Sequence, residues 1–147
     1  MSLPKTLYAL AIALLIVAFV GFGISAFYPA PQQPDRLPEL QFGGPGATEE
    51  EMQLRLEQQN KQEAFQKQFS DYNRVVASIS IGLAVLLLVG SLLWISGVPV
   101  IGAGVTLGAV FTLFYGLIRA LITEDEVFRF VAEAVELVVL LALVYWG

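Results

Sequence analysis

Four runs of apolar residues divide the 147-residue chain, and each has about the 20 residues that a helix needs to cross a bilayer. They cover residues 7–27, 75–95, 98–122 and 127–146. The first three contain no Asp, Glu or Lys, and their single Arg is Arg119. Hydrophobic residues make up 56% of the chain and charged residues 14%, whereas soluble domains have about 45–50% and about 25%. The sequence therefore predicts an all-α integral membrane protein with four transmembrane helices.

The first run is predicted to be a retained transmembrane helix within residues 1–28. A cleaved signal peptide is the alternative, because Ile24-Ser25-Ala26 has the small-residue pattern of a cleavage site. The run is longer than the roughly 7–15 apolar residues of a signal peptide, which favours the retained helix.

A long polar segment separates the first run from the other three. Residues 29–47 are rich in Pro and Gly and predict a linker, whereas residues 48–73 lack both and are dominated by helix formers. We expect residues 48–73 to be an extramembrane amphipathic helix that continues into the second span, and a hinge near residues 71–74 is the alternative. The predicted three-helix transmembrane bundle covers residues 74–147, with spans at about 74–96, 98–122 and 127–146.

The distribution of basic residues predicts an orientation. Seven of the eight Lys and Arg residues lie on the side of the long segment, and Lys5 alone lies on the other. The positive-inside rule then places residues 29–73 in the cytoplasm of a prokaryotic-type cell membrane. The charges around the first helix favour the opposite orientation, because Lys5 precedes it while Asp35 and Glu39 follow it.

Composition argues against several classes of function. The chain has no Cys and no His, so it lacks disulfides, thiolate nucleophiles and the commonest metal ligands, and no metal or cofactor is predicted. No Lys/Arg-rich run indicates nucleic acid. The three Asp residues lie outside the spans, and no Ser has a His partner. We therefore expect a protein that is not an enzyme.

Two glutamates inside the last run, Glu133 and Glu136, are the strongest functional signal. An ionisable residue near the middle of a span costs a few kcal/mol, so it marks a functional site or a paired buried charge by default. Steps of three and four place both on one stripe with Arg129. A stripe on the third run contains Gly104, Gly108, Thr112, Tyr115 and Arg119.

We predict that these two stripes face each other and form a polar track. In that arrangement Arg119 pairs with Glu133 or Glu126, and Thr112 lies level with Glu136, which has no basic residue at its depth. One hypothesis makes Glu136 and Glu133 a proton or cation site. The alternative is a structural track in which protonated Glu136 donates a hydrogen bond to a hydroxyl oxygen.

Two further features indicate contacts between helices. Gly104 and Gly108 form a GxxxG pair, which allows close helix packing within the chain or between copies. Phe65, Phe69 and Tyr72 form a candidate partner-binding face, and the alternative is that they rest on lipid headgroups or on residues 29–38.

The expected function is that of a small membrane protein acting by helix-mediated assembly, as a structural, accessory or regulatory subunit. Its expected partners are the lipid bilayer and either further copies or a larger membrane complex. A homo-oligomeric proton or cation channel or transporter that uses Glu136 and Glu133 is the alternative.

Overall fold

The computed structural model describes residues 2–34, 48–94 and 97–146, and these residues form four α-helices. They are α1 (Leu3–Phe27), α2 (Glu49–Trp94), α3 (Pro99–Ile122) and α4 (Glu126–Trp146). The predicted all-α fold is confirmed for this part of the chain. Helices α1, α2 and α3 are each long and apolar enough to cross a membrane, which agrees with an integral membrane protein.

Helix α2 is one continuous helix of 46 residues, about 69 Å long at 1.5 Å per residue. It begins directly after Thr48, whose carbonyl oxygen accepts a hydrogen bond from the Met52 N–H at 3.1 Å. It passes through residues 71–74 without a break, so the alternative of a hinge there is wrong. Most of the predicted linker, residues 35–47, lies outside the described residues.

Helix α3 lies at the centre of the bundle because its small residues allow close approach on more than one side. A Cβ added to Gly104 would lie 2.8 Å from the Ile12 Cβ, and one added to Gly108 would lie 3.2 Å from the Ala13 Cα. Residue numbers rise together along the two helices, so α1 packs parallel to α3.

Helices α2 and α3 form an antiparallel pair, and only a short segment separates Trp94 from Pro99. The Thr106 hydroxyl donates to the Ser91 hydroxyl oxygen at 3.2 Å near this segment. At the opposite end, the Glu124 N–H donates to the Ser70 hydroxyl oxygen at 2.9 Å. These two contacts fix the register of the pair along its whole length.

Helix α4 returns antiparallel to α3 after the turn at residues 123–125. The Asp125 carboxylate accepts a hydrogen bond from the Phe128 N–H at 3.0 Å, so it caps the amino terminus of α4 as short polar side chains do. Ala132 packs with Ala77 and Ala120. Further along, three residues of α4 pack against buried residues of α2 and α3: Val139, Leu140 and Leu143.

Candidate functional site

Glu136 lies on the inner side of α4, in the seam where α4 meets α2 and α3. Its exposed fraction is 6%. On the same stripe of α4, Ala132 packs into one apolar cluster and Val139 into the next. The carboxyl group is therefore held between two apolar layers of the bundle.

The two apolar layers bracket the part of α3 that lies nearest this carboxyl group. Ala132 packs in a cluster with Ala77 and Ala120, and Val139 packs on the cluster that contains Leu113. Gly116 is buried on α3 between Leu113 and Ala120. A Cβ on Gly116 would lie 2.9 Å from the Ile81 Cγ1. The floor of the seam is thus a close contact between α3 and α2.

The Glu136 Oε1 atom is buried and has no hydrogen-bond partner among the described residues. Nearby hydroxyl groups donate to the backbone of their own helices. The Ser80 hydroxyl donates to the Val76 carbonyl oxygen at 2.8 Å, and the Thr112 hydroxyl donates to the Gly108 carbonyl oxygen at 2.8 Å. A buried polar atom without a partner costs about 1–3 kcal/mol, so Glu136 is a poor structural element as it stands.

Glu133 and Arg129 differ from Glu136 in their surroundings. Glu133 is exposed on the side of α4 that does not meet the bundle. Arg129 is partly buried, and its buried Nε atom has no hydrogen-bond partner in the part of the chain that the structure describes. The candidate acid pair is therefore split between the inner and the outer side of α4.

The predicted track between α3 and α4 is wrong, because the stripe on α3 faces other helices. The Arg119 Nη1 donates to the Asn73 Oδ1 at 3.0 Å, and its Nε donates to the Tyr115 hydroxyl oxygen at 3.1 Å. Its guanidinium also lies 5.9 Å from the centre of the Tyr72 ring. Arg119 therefore binds an amide and aromatic rings, and not Glu133 or Glu126.

The glycine pair of α3 likewise faces α1 and not α4. Both Gly104 and Gly108 are buried. An added Cβ would lie closer than van der Waals contact, at 2.8 Å from the Ile12 Cβ for Gly104 and at 3.0 Å from the Ile16 Cδ1 for Gly108. Thr112 is fully buried one turn further along. Its hydroxyl donates to the Gly108 carbonyl oxygen and not to Glu136, whose Oε1 atom has no hydrogen-bond partner among the described residues.

The aromatic face of α2 is used partly within the chain. The Tyr72 ring stacks on Tyr28 with a centroid distance of 5.3 Å, and 7% of Tyr72 is exposed. Phe65 and Phe69 are half-buried, and Phe65 lines a 240 Å³ cavity beside Pro34. Tyr72 is therefore not free for a partner, and Phe65 faces the segment that follows α1 across this cavity.

Sequence reasoning missed a polar layer where α2 meets the turn between α3 and α4. Asn73 is fully buried and accepts from Arg119, Ser70 accepts from the α3–α4 turn, and Arg74 pairs with Asp125 at 3.3 Å. The sequence did contain a signal for this layer, which is a stripe of small and polar residues at helical spacing: Ser70, Asn73 and Ala77.

Within the described residues, no group of three or more Asp, Glu, His or Cys side chains could hold a metal ion. The arrangement instead offers one buried carboxyl group, Glu136, and one exposed carboxyl group, Glu133, on a single helix. Comparison of the chain with protein-family models, curated proteins and solved structures finds no match.

Proposed function

We propose that the chain is a small, non-catalytic, multi-pass membrane protein that acts by helix-mediated assembly, as a structural, accessory or regulatory subunit. In this proposal α4 is a fourth span. Its 21 residues correspond to about 31 Å, and it lies antiparallel along α3, which is itself apolar enough to cross a membrane. Arg129 comes one turn after the start of α4, so in this proposal it lies near the membrane interface.

The exposed position of Glu133 carries this proposal. It lies about 10 Å along α4 from Glu126, at 1.5 Å per residue, among exposed apolar side chains such as Phe130 and Leu137. A charged side chain at the centre of a span costs about 2.5–3.5 kcal/mol. A neighbouring helix with a polar group would remove much of that cost, so the exposed carboxyl group favours an assembled form.

Helix α2 provides a second surface for assembly. Its first half extends away from the membrane-spanning part, and its half-buried Phe65 and Phe69 rings stack on each other with a centroid distance of 5.7 Å. Glu57/Lys61 and Glu63/Lys67 are four residues apart and suit a solvated helix. In the proposed orientation this segment is cytoplasmic.

The mass of the particle extracted from host membranes tests the assembly function. We expect the wild type, in a mild detergent, to have a protein mass of at least about twice that of one chain, because a second helix must cover Glu133. Glu133→Leu is expected to lower that mass, whereas Val138→Leu, another exposed position of α4, leaves it unchanged. A wild type that is strictly monomeric by light scattering would contradict the proposal.

A proton pathway is the second candidate function, and the buried Glu136 Oε1 atom without a partner favours it. An intramembrane carboxyl group that is neither paired nor hydrogen-bonded is the usual element of a proton relay. The bundle of one chain has little interior, so this function also requires several copies.

Proton flux into vesicles tests the pathway. If Glu136 relays protons, wild-type vesicles with an internal pH dye acidify under an imposed gradient, and Glu136→Gln lowers the rate at least about 10-fold, since the amide cannot exchange a proton. The particle mass of Glu136→Gln must stay that of the wild type. A wild type without flux would leave assembly as the function.

A further inference from the structure

We propose that the outer face of α4 binds the same face of a second copy of this chain, with Arg129 of each copy paired with Glu133 of the other. We define the α4 outer face by five residues: Glu126, Phe130, Glu133, Leu137 and Val144. This inference rests on the proposed function, because it names the neighbour that covers Glu133.

The α4 outer face is a continuous exposed stripe. Phe130 is 72% exposed, Leu137 is 59% exposed and Val144 is 81% exposed. Glu126 and Glu133 are also exposed, and steps of three, four and seven place all five on one side of the helix. The described residues of a single chain therefore leave this stripe uncovered.

The charges beside this stripe are complementary to themselves. Arg129 lies at its edge, four residues before Glu133. It is partly buried, so its remaining exposed part faces this edge, while its buried Nε atom has no hydrogen-bond partner among the described residues. In the described part of the chain, the ion pair that forms is Arg74–Asp125, at 3.3 Å. Arg129 and Glu133 therefore have no ion-pair partner among the described residues, and a second copy supplies the counter-charge for each.

Membrane insertion makes this pairing geometrically possible. Copies inserted in one orientation are related by a two-fold axis along the membrane normal, so their α4 helices run parallel with equal residues at equal depth. Arg129 and Glu133 are then offset by about 6 Å, or one turn. The long Arg129 side chain can span this offset to Glu133 of the other copy. The two-fold symmetry therefore produces two Arg129–Glu133 pairs in each dimer.

A second copy fits this face better than an apolar helix does. An apolar helix would leave Glu133 without a hydrogen-bond partner in a medium that offers none. A second copy of the chain provides a counter-charge for both Arg129 and Glu133. Its Phe130 and Leu137 side chains contact the same residues of the first copy across the two-fold axis.

Cysteine cross-linking of the purified chain tests the α4 outer face, and the natural chain contains no Cys. Leu137→Cys and Val138→Cys are a matched pair, since both positions are exposed and adjacent but point about 100° apart on the helix. In phosphatidylcholine vesicles under mild oxidation, we expect disulfide dimers to form at least about 10-fold faster at position 137 than at position 138. Equal rates, or a faster rate at position 138, would overturn the inference.

Exchange of the two charges tests the pairing itself. Arg129→Glu and Glu133→Arg are each expected to weaken the dimer about 10-fold, which corresponds to the upper range of polar contacts between membrane helices. The double variant restores the pair and therefore the dimer. Glu133→Gln, which keeps the shape of the side chain, checks that a lost dimer does not reflect a lost fold. If the double variant stays monomeric while Glu133→Gln folds, the pairing is wrong.

These outcomes separate the inference from the proposed function. If the particle from host membranes is heavy but cross-linking is not faster at position 137, the inference of a second copy is wrong. The proposed assembly function then still holds, with another partner. A monomer in both experiments overturns both.

Discussion

Replacing Gly104 with alanine is expected to lower the free energy of unfolding by about 2 kcal/mol, within the usual range for overpacking. The added Cβ would lie 2.8 Å from the Ile12 Cβ and 3.1 Å from the Ala9 carbonyl oxygen. Neither atom is the end of a flexible side chain, so α1 must move away from α3. The measurement is an unfolding titration with SDS in mixed micelles, followed by the loss of helical circular dichroism.

Gly82→Ala is the matched control for this prediction. Gly82 lies inside α2, and nothing lies within 4 Å of an added Cβ. Alanine favours a helix over glycine by about 0.5–1 kcal/mol, so this variant is expected to be as stable as the wild type or slightly more stable. Equal losses of stability for the two variants would show that the contact between α1 and α3 is not tight.

The elements of the fold could be predicted from the sequence because local chemistry determines them. Residues 48–73, which are helix formers without Gly or Pro, predicted a helix that continues into the second span. Gly97 followed by Pro99 is typical of a link between helices, and Asp125 and Glu126 place negative charge where it stabilises the start of α4. Each of these signals lies within a few residues of the boundary that it specifies.

The neighbours of α3 could not be predicted because its small residues surround the helix. Gly104 and Gly108 contact α1, whereas Gly116 contacts α2. Periodicity identifies a face of a helix and does not identify the helix that packs on it. The prediction that the α3 stripe faces α4 was wrong because polar residues on two consecutive helices need not meet.

Arg119 shows why the candidate site differed from expectation. A guanidinium group can stack on aromatic rings and donate to an amide as well as to a carboxylate. The Tyr115 ring lies 5.2 Å from the Arg119 guanidinium, and Asn73 supplies an acceptor from α2. Its charge alone predicted that Arg119 pairs with a glutamate. In the folded chain, Tyr115 and Asn73 are its partners instead.

Glu136→Leu is expected to raise the free energy of unfolding by about 2 kcal/mol, the midpoint of the range for a buried polar atom without a partner. The side chain is 6% exposed, and its Oε1 atom has no hydrogen-bond partner among the described residues. Leucine has a similar volume and suits the flanking Ala132 and Val139 contacts. A residue that destabilises its own fold in this way is typical of a functional site, so the same variant must abolish any proton flux.

Glu133→Leu is the matched control, because it makes the same change three residues away at an exposed position. Both variants make α4 more apolar to a similar degree. The difference between their free energies of unfolding therefore isolates the effect of burial. Glu133→Leu is expected to leave the unfolding free energy of the monomeric chain within about 0.5 kcal/mol of the wild type, while it weakens assembly. If Glu136→Leu were instead less stable than the wild type, the carboxyl group would be a structural hydrogen-bonding element. In that case the protonated acid stabilises the seam, and the proton pathway loses the observation that favours it.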